Sequence, residues 1–302
     1  MSISVVIPAY NASLFIAETL RSVLAQTYPV NDIIVVDDGS TDNTADIAES
    51  FGAPVRVFRQ PNARQAAARN FGVSQATSEW IAFLDADDLW LPHKIERQLA
   101  ELARNPHADL CYTGCTWLVQ QGSTATLGPA FPAPPASHIR QALLKEVTFL
   151  PSSVLMRRSA FLAVGGFNPR YRFGTEDYDL WLRLRHHGTH FAACTEPLTL
   201  YRRHDNNTSI NLSWFEECME IHRLLIHPHL PPAIRRRESN IFYSTHEVGA
   251  AYALREKGDP KALSMMLAAT SSSPTCSISA FSAPTHHASP RSANPPRLLP
   301  SL

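Results

Sequence analysis

The sequence lacks an excess of charge of either sign. Lysine and arginine together number 27 of the 302 residues, and aspartate and glutamate also number 27, so the formal net charge is zero. Proteins that bind nucleic acid normally carry a basic excess or a clustered basic patch. We therefore expect no nucleic-acid partner.

Long apolar runs are also missing. No uninterrupted apolar stretch approaches the ~18–20 residues that a membrane-spanning helix needs. The first ten residues, MSISVVIPAY, contain no basic leader and meet a proline at once. We therefore expect a cytoplasmic protein whose membrane contact, where it makes one, is peripheral at the inner face of the membrane.

Cysteine is scarce, with five residues in the chain. The count is odd, and Cys111 and Cys115 have the spacing CxxxC rather than the CxxC of many zinc sites. This pattern favours reduced thiols over a disulfide framework or a zinc site.

A regular alternation fills the first hundred residues. Short apolar runs at 3–8, 32–38, 55–60 and 79–88 are each followed by a segment with helical spacing, at 13–26, 43–52, 65–76 and 91–106. Continuous apolar strands that alternate with amphipathic helices indicate an α/β fold. We expect a mostly parallel central sheet with helices on both faces.

The rest of the chain is less regular. Residues 109–122 predict one or two strands, and 129–137 form a proline-rich loop. We place one domain over 1–210, with halves of about 1–106 and 107–210, followed by C-terminal helices within 211–269. Serine, proline and small residues dominate 270–302, which predicts a disordered tail.

Carboxylates follow the second and fourth predicted strands. Asp37 and Asp38 end one strand, and Asp85, Asp87 and Asp88 end the other. The carboxyl ends of parallel strands share one edge, where ligands bind. Residues i and i+2 of an extended backbone point the same way, so Asp85 and Asp87 could share a hard cation such as Mg²⁺. The alternative is a polar turn in which Asp88 caps the helix that begins near Leu91.

Seven segments together resemble a known family. They occur in the order VVIPAYN, QTYPVNDIIVVDDGSTDNT, AAARNFG, WIAFLDADDLWLP, GGF, EDYDLWLRL and YRRH. This ordered set closely resembles the family 2 inverting glycosyltransferases, which have the GT-A fold, over about residues 3–209. The resemblance implies that 1–210 is the catalytic domain, with a donor half followed by an acceptor half.

The resemblance implies roles for the donor half. A nucleoside diphosphate sugar, most typically a UDP-sugar, would bind there with Mg²⁺ or Mn²⁺. The residues implied to contact the nucleotide or its sugar are Pro8, Ala9, Tyr10, Asp38, Arg69, Asp85 and Ala86. Asp87 would hold the metal on the diphosphate, and His204 of the YRRH segment is the second expected metal ligand. Simpler structural roles are the alternatives: a strand terminator for Pro8 and a surface ion pair for Arg69.

The acceptor half is implied to supply the base. Asp177 would take a proton from an acceptor hydroxyl as that oxygen attacks the sugar, with Glu176 as the neighbouring alternative. A helix-capping role for Asp177 is the structural alternative. The acceptor would be a saccharide or a lipid-linked saccharide of the cell envelope. One departure concerns donor choice, because this chain has Arg64 where the family often has glycine.

Three other classes of protein are weaker alternatives. A phospho-acceptor signalling domain also places paired aspartates on a sheet edge, but such a domain has no function for the segment EDYDLWLRL. The intact carboxylates Asp38, Asp85, Asp87 and Asp177 argue against a catalytically inactive sugar-nucleotide-binding module. A nucleotidyltransferase would show a glycine-rich, basic loop near its start, and IPAYNASLF is neither.

Overall fold

The structure is a computed structural model that describes residues 1–143, 149–204 and 212–229. The helices expected within 233–268 and the tail at 270–302 lie outside these residues. The chain divides into two compact units, one of Met1–Ser209 with Glu220–His229 and the other of Ile210–Met219 with Leu230–Leu302. The sheet and the predicted site residues all belong to the first unit.

Nine strands form the central sheet of the first unit. They are β1 (Ile3–Ala9), β2 (Asp32–Asp37), β3 (Val55–Arg59), β4 (Trp80–Phe83), β5 (Leu89–Trp90), β6 (Leu110–Gln121), β7 (Thr124–Phe131), β8 (Val154–Arg157) and β9 (Phe191–Arg203).

Eight α-helices lie in the described ranges. They are α1 (Ile16–Leu24), α2 (Thr44–Glu49), α3 (Arg64–Gln75), α4 (Lys94–Arg104), α5 (Ala136–Ala142), α6 (Arg158–Ala163), α7 (Glu176–His187) and α8 (Leu212–Ile221). A 3₁₀ turn at Pro151–Ser153 precedes β8, and a π-helical turn (His222–Ile226) and a 3₁₀ turn (His227–His229) follow α8. None of the helices in the described ranges is long and apolar enough to cross a membrane.

The strand order is β3-β2-β1-β4-β8-β6-β9-β5, with β7 paired to β6 outside this path. The four strands β1 to β4 pair in parallel, as the alternating pattern predicts. Beyond β4 the sheet is mixed, because β8 runs antiparallel to both β4 and β6, whereas β6 and β9 are parallel. The α/β prediction is confirmed, and the continuous parallel part of the sheet is β1 to β4.

Helices cover both faces of β1 and β2. Val5 and Ile7 pack with Ile16 and Leu20 of α1 in the main apolar core. The alternate residue Val6 faces α3, where a Cβ built on Gly72 would lie 2.4 Å from Val6 Cγ1. Successive side chains of a strand point to opposite faces, so an apolar run with no polar alternation is what this two-sided burial requires.

Two segments differ from the sequence-based expectation. The helix expected over 91–106 begins at Lys94, because the Leu91 N–H extends the pairing of β5 with β9 by donating to the Leu198 carbonyl, and residues 92–93 form a turn. Thr124–Phe131 forms β7, an exposed strand paired with β6 along one edge, so the loop expected over 129–137 begins only after Phe131. Its sequence TATLGPAF has little apolar alternation, so neither periodicity nor propensity indicated it.

Gly72 is the basis of a stability prediction. Gly72→Ala should destabilise the protein by about 1–3 kcal/mol, the usual cost of inserting atoms into a packed core, because the added methyl would overlap Val6. Urea unfolding followed by circular dichroism measures this. Ser74→Ala, on the exposed face of the same helix, is the control and should remain near wild type. Equal stability of Gly72→Ala and wild type would contradict the packing of α3 on β1.

Candidate active site

Hydrogen bonds join the carboxyl ends of β1 and β2. The Asp38 N–H donates to the Ala9 carbonyl at 2.8 Å, and the Thr41 N–H donates to Asn11 Oδ1 at 2.8 Å. Pro8 and Ala9 are buried, whereas the next side chain, Tyr10, is 53% exposed. The structure therefore brings together Pro8, Ala9, Tyr10 and Asp38 at one edge of the sheet.

Asp38 organises the loop that leads into α3. Its Oδ1 accepts hydrogen bonds from Gln60 Nε2 and the Ala63 N–H at 2.7 and 2.9 Å, and its Oδ2 accepts from the Arg64 N–H at 2.7 Å. Arg64 has a φ of +71°, the left-handed region that glycine adopts without cost. The family's glycine therefore corresponds to a real backbone requirement, which this chain meets with a strained arginine.

Arg69 links the two halves of the first unit. Its Nη2 donates to Asp85 Oδ1 at 2.5 Å, and its Nη1 donates to Glu176 Oε1 at 2.6 Å. The Arg69 and Glu176 side chains are 4% and 3% exposed, so this ion pair is buried. Arg69 is not the surface ion pair that the sequence left open. Among the described residues, Arg69 Nε and Glu176 Oε2 are buried without a hydrogen-bond partner.

Asp87 and His204 lie in direct contact. His204 Nε2 is 2.9 Å from Asp87 Oδ2, and the His204 ring stacks on Phe15 with centroids 5.0 Å apart. Both side chains keep some exposure, 27% for Asp87 and 15% for His204. A carboxylate oxygen and an imidazole nitrogen at this separation are suitable ligands of one cation. The structure therefore brings the two sequence-predicted metal ligands together.

The metal site would depend on substrate for completion. No group of three or more His, Cys, Asp or Glu side chains that could hold a metal ion occurs among the described residues. Mg²⁺ commonly takes only one or two protein ligands and completes its shell with water and substrate phosphate oxygens. The Asp87 and His204 pair fits such a shared site and does not fit a closed structural site.

Asp88 does not cap α4. Its Oδ2 accepts a hydrogen bond from the Ser152 hydroxyl at 2.6 Å, and its Oδ1 accepts from the Arg202 N–H at 2.9 Å. The expected capping role is wrong, because β5 separates this carboxylate from the helix and turns it into the interior. Burial, with the charges of Asp87 and Asp85, raises the pKa of Asp88 well above its usual value.

Buried polar groups hold the Asp85–Asp88 segment in place. The Asp85 N–H donates to Ser152 Oγ, and Arg202 Nε donates to the Asp87 carbonyl at 2.7 Å. The hydroxyl of Thr19 donates to the Ala86 carbonyl at 2.9 Å. Ser152 and Thr19 cannot be selected from the sequence, because neither hydroxyl belongs to a recognisable motif.

Asp177 lies in the first turn of α7 and is almost fully buried. Burial, and after it the charge of Glu176, raises the pKa of Asp177 well above its usual value, while the Arg69 charge opposes the rise. Two other acids share this turn, and each has a cationic partner: Glu176 pairs with Arg69 and Asp179 with Arg183. Among the described residues, no cationic side chain forms such a pair with Asp177.

Comparison with known proteins identifies a family and several relatives of this chain. The family model described as Glycosyl transferase family 2 matches residues 4–165. The putative teichuronic acid biosynthesis glycosyltransferase TuaG of Bacillus subtilis is 32% identical over 213 residues, which cover 69% of this chain and 82% of TuaG. An uncharacterized glycosyltransferase of Rickettsia felis is 33% identical over 187 residues, or 60% of this chain. The match spans only 31% of that relative's length.

Solved structures share the fold at low sequence identity. The S. aureus TarS 1–349 structure in complex with UDP-GlcNAc has a TM-score of 0.65 and 18% identity, and the match covers 89% of this chain and 79% of TarS. The mannosyltransferase PcManGT of Pyrobaculum calidifontis, in complex with GDP-Man and Mn²⁺, has a TM-score of 0.57 and 17% identity. It matches 89% of this chain and 79% of its own. These likenesses show the fold.

The double ion pair of Arg69 leads to a second prediction. Arg69→Met should lower the free energy of unfolding by about 3–5 kcal/mol, because removing one partner of a buried pair leaves uncompensated buried charge. Urea unfolding at neutral pH gives the value. Arg59→Met is the matched control, since Arg59 also pairs with two carboxylates, Asp46 and Glu49, but at the surface. It should remain near wild type, and an equal loss in both variants would contradict the role given to burial.

Proposed function

Because the chain belongs to glycosyl transferase family 2, we propose that it is a metal-dependent inverting glycosyltransferase. It would move a sugar from a nucleoside diphosphate sugar to an acceptor hydroxyl. One observation carries this proposal: the guanidinium of Arg69 joins Asp85, in the segment that follows β4, to Glu176, the neighbour of Asp177. Donor-binding and acid–base groups therefore meet at one place, as a direct transfer between two substrates requires.

The nucleotide is proposed to lie along the carboxyl ends of β1 and β2, beside Pro8, Ala9, Tyr10 and Asp38. Three of the hydrogen bonds that Asp38 accepts come from the 60–64 loop. A carboxylate offers about four acceptor positions, so Asp38 can accept one more donor from a base. Its proposed role is thus partly to shape the pocket and partly to contact the nucleotide. UDP is the preferred nucleotide, because the TarS fold relative was crystallised with UDP-GlcNAc.

Asp87 and His204 are proposed to hold Mg²⁺ or Mn²⁺. When bound there, the cation would neutralise the charge that grows on the departing nucleoside diphosphate. The proposal is supported by their 2.9 Å contact and by partial exposure toward solvent. The Mn²⁺ in the PcManGT complex agrees with it. Asp85 and Ala86 are proposed to contact the donor beside this site, with Arg69 fixing the orientation of Asp85.

Asp177 is the proposed base. An inverting transfer needs one carboxylate that takes the proton of the acceptor hydroxyl while its oxygen attacks the anomeric carbon, and no covalent enzyme intermediate is formed. Glu176 and Asp179 each form an ion pair with an arginine, which protonation of the carboxylate would break. Asp177 has a raised pKa, which makes its ionised form a stronger base than an ordinary aspartate. This contrast favours Asp177 over Glu176.

The acceptor is proposed to be a saccharide or a lipid-linked saccharide of the cell envelope. The support comes from relatives whose names give such roles, including TuaG and the amylovoran biosynthesis glycosyltransferase AmsB of Erwinia amylovora. We also propose that the catalytic domain ends at about residue 210. An acceptor of this kind would place the enzyme at the cytoplasmic face of the membrane.

Asp87→Ala tests the metal assignment. Wild-type protein should melt at a higher temperature with UDP and Mn²⁺ together than with UDP alone, because a ligand that binds the native state stabilises it by mass action. Asp87→Ala should lose this metal-dependent increment in a thermal-shift assay. Asp46→Ala removes an exposed carboxylate of α2 and should retain it. An undiminished increment in Asp87→Ala would show that the cation binds elsewhere.

Asp177→Asn tests the base. Asparagine nearly matches the shape of aspartate but cannot take a proton at neutral pH, so transfer should fall by ~10²–10⁴-fold with donor affinity retained. Because the base works only when ionised, wild-type activity should decline as pH falls through the raised pKa of Asp177, above the usual ~3.9. A radiolabelled-donor transfer assay at several pH values measures both effects. Near-normal transfer by Asp177→Asn combined with an inactive Glu176→Gln would make Glu176 the base.

A further inference from the structure

A cluster of two aromatic rings and one arginine lies at the partly exposed surface of β6, β7 and β9. The rings of Trp117 and Phe131 have centroids 5.2 Å apart, and the guanidinium carbon of Arg203 lies 4.7 Å from the centroid of a Trp117 ring. Phe131 is 44% exposed, and Trp117 and Arg203 are half-buried. We refer to these three residues as the Trp117 platform.

The backbone is built so that this platform can form. A Cβ on Gly114 would lie 2.5 Å from the Phe131 carbonyl oxygen and 2.8 Å from the Ala133 nitrogen. Only glycine therefore lets the segment that follows β7 lie against β6. This close approach sets Phe131 opposite Cys115, two residues from Trp117.

The platform lies away from β1 and β2 in the strand order of the sheet. Trp117 pairs with Tyr201 in β9, and the strand order places two strands, β4 and β8, between β1 and β6. The ends of β1 and β2, where the nucleotide is proposed to bind, are therefore distant from the platform along the sheet. Arg203, in contrast, immediately precedes His204, which contacts Asp87.

The face of β9 that carries the platform also supports the acidic segment. Leu200 packs with Leu89 and Leu118 on one face of β9, so Thr199, Tyr201 and Arg203 lie on the other. On that second face the Thr199 hydroxyl donates to the Ser152 carbonyl, and the Ser152 hydroxyl donates to Asp88. The platform is therefore connected to the Asp85–Asp88 segment through Thr199 and Ser152, whereas Arg202, which contacts Asp87 and Asp88, lies with Leu200 on the first face.

The chemistry of the platform matches a sugar ring. A pyranose presents a flat face of C–H groups, which packs against the negative face of an aromatic ring, and a rim of hydroxyls. The five N–H donors of a guanidinium can bind such hydroxyls. We propose that Trp117, Phe131 and Arg203 form an acceptor subsite, in which a sugar of the acceptor saccharide stacks on the rings and Arg203 contacts its hydroxyls. This inference rests on the proposed glycosyltransferase function.

Saturation-transfer NMR with methyl β-D-glucoside, methyl β-D-galactoside and methyl N-acetyl-β-D-glucosaminide tests the subsite. Wild-type protein should transfer saturation to the ring C–H protons of at least one of these sugars. Trp117→Ala should bind that sugar about 3- to 10-fold more weakly, the range expected for loss of one stacking contact, whereas Trp117→Phe should retain part of the affinity. Leu127→Ala removes a side chain of β7 that is 56% exposed and should bind like wild type.

Three results would overturn the subsite. In the first, wild-type protein transfers saturation to none of the three sugars. In the second, wild type and Trp117→Ala bind the sugar equally. In the third, the protein is a dimer in solution that Phe131→Ala converts to monomer. The thermal shift with UDP and Mn²⁺ separates this failure from failure of the proposed function. Wild type and Trp117→Ala should show the same nucleotide-dependent shift. A shift in both proteins without sugar binding would contradict the subsite alone. The absence of a shift in both would contradict the proposed function.

Discussion

The buried guanidinium of Arg69 is the interaction on which the site depends. It holds Asp85, which follows β4, and Glu176 of α7, two carboxylates that lie 91 residues apart in sequence, within hydrogen-bond distance of one cation. Charge buried without a partner is costly. Arg69 and Glu176 are both buried, so neither can move away without leaving buried charge uncompensated. The position of the first turn of α7 relative to the segment that follows β4 is thereby fixed by electrostatics as well as by packing.

A second polar network fixes the acidic segment from the opposite side. Arg202 donates to the Asp87 carbonyl, to Gln120 and to Glu18, while its backbone N–H donates to Asp88. A satisfied buried network restricts its members to one arrangement. Asp88 therefore serves as an anchor, which leaves Asp87 available at the surface beside His204. The adjacent carboxylates of Asp87 and Asp88 therefore differ in their surroundings, because Asp88 is buried among hydrogen-bond donors and Asp87 is not.

The sequence predicts what depends on local pattern. Alternation of apolar runs and helical spacing gives the parallel arrangement of β1 to β4, and the strand ends give the edge on which Asp38, Asp85 and Asp87 lie. The sequence does not predict the ion pair between Arg69 and Glu176, because two residues that are 107 positions apart leave no periodic signal. The strand β7 is not predictable for a related reason. Its residues are exposed, so the strand is stabilised by pairing with β6 and shows no pattern of burial. Asp88 was misassigned because its partners, Ser152 and the Arg202 backbone, come from distant segments.

Environment, more than position in the motif, distinguishes the acids of α7. Glu176, Asp177 and Asp179 all lie in the first turn, where the helix dipole favours negative charge. Glu176 and Asp179 are each held by an arginine, so taking up a proton would break a buried ion pair. Protonation of Asp177 breaks no such pair and relieves both its desolvation and its repulsion from Glu176. Of the three, Asp177 is thus the acid that can take up a proton without breaking an ion pair, and the charge of the adjacent Glu176 raises its basicity.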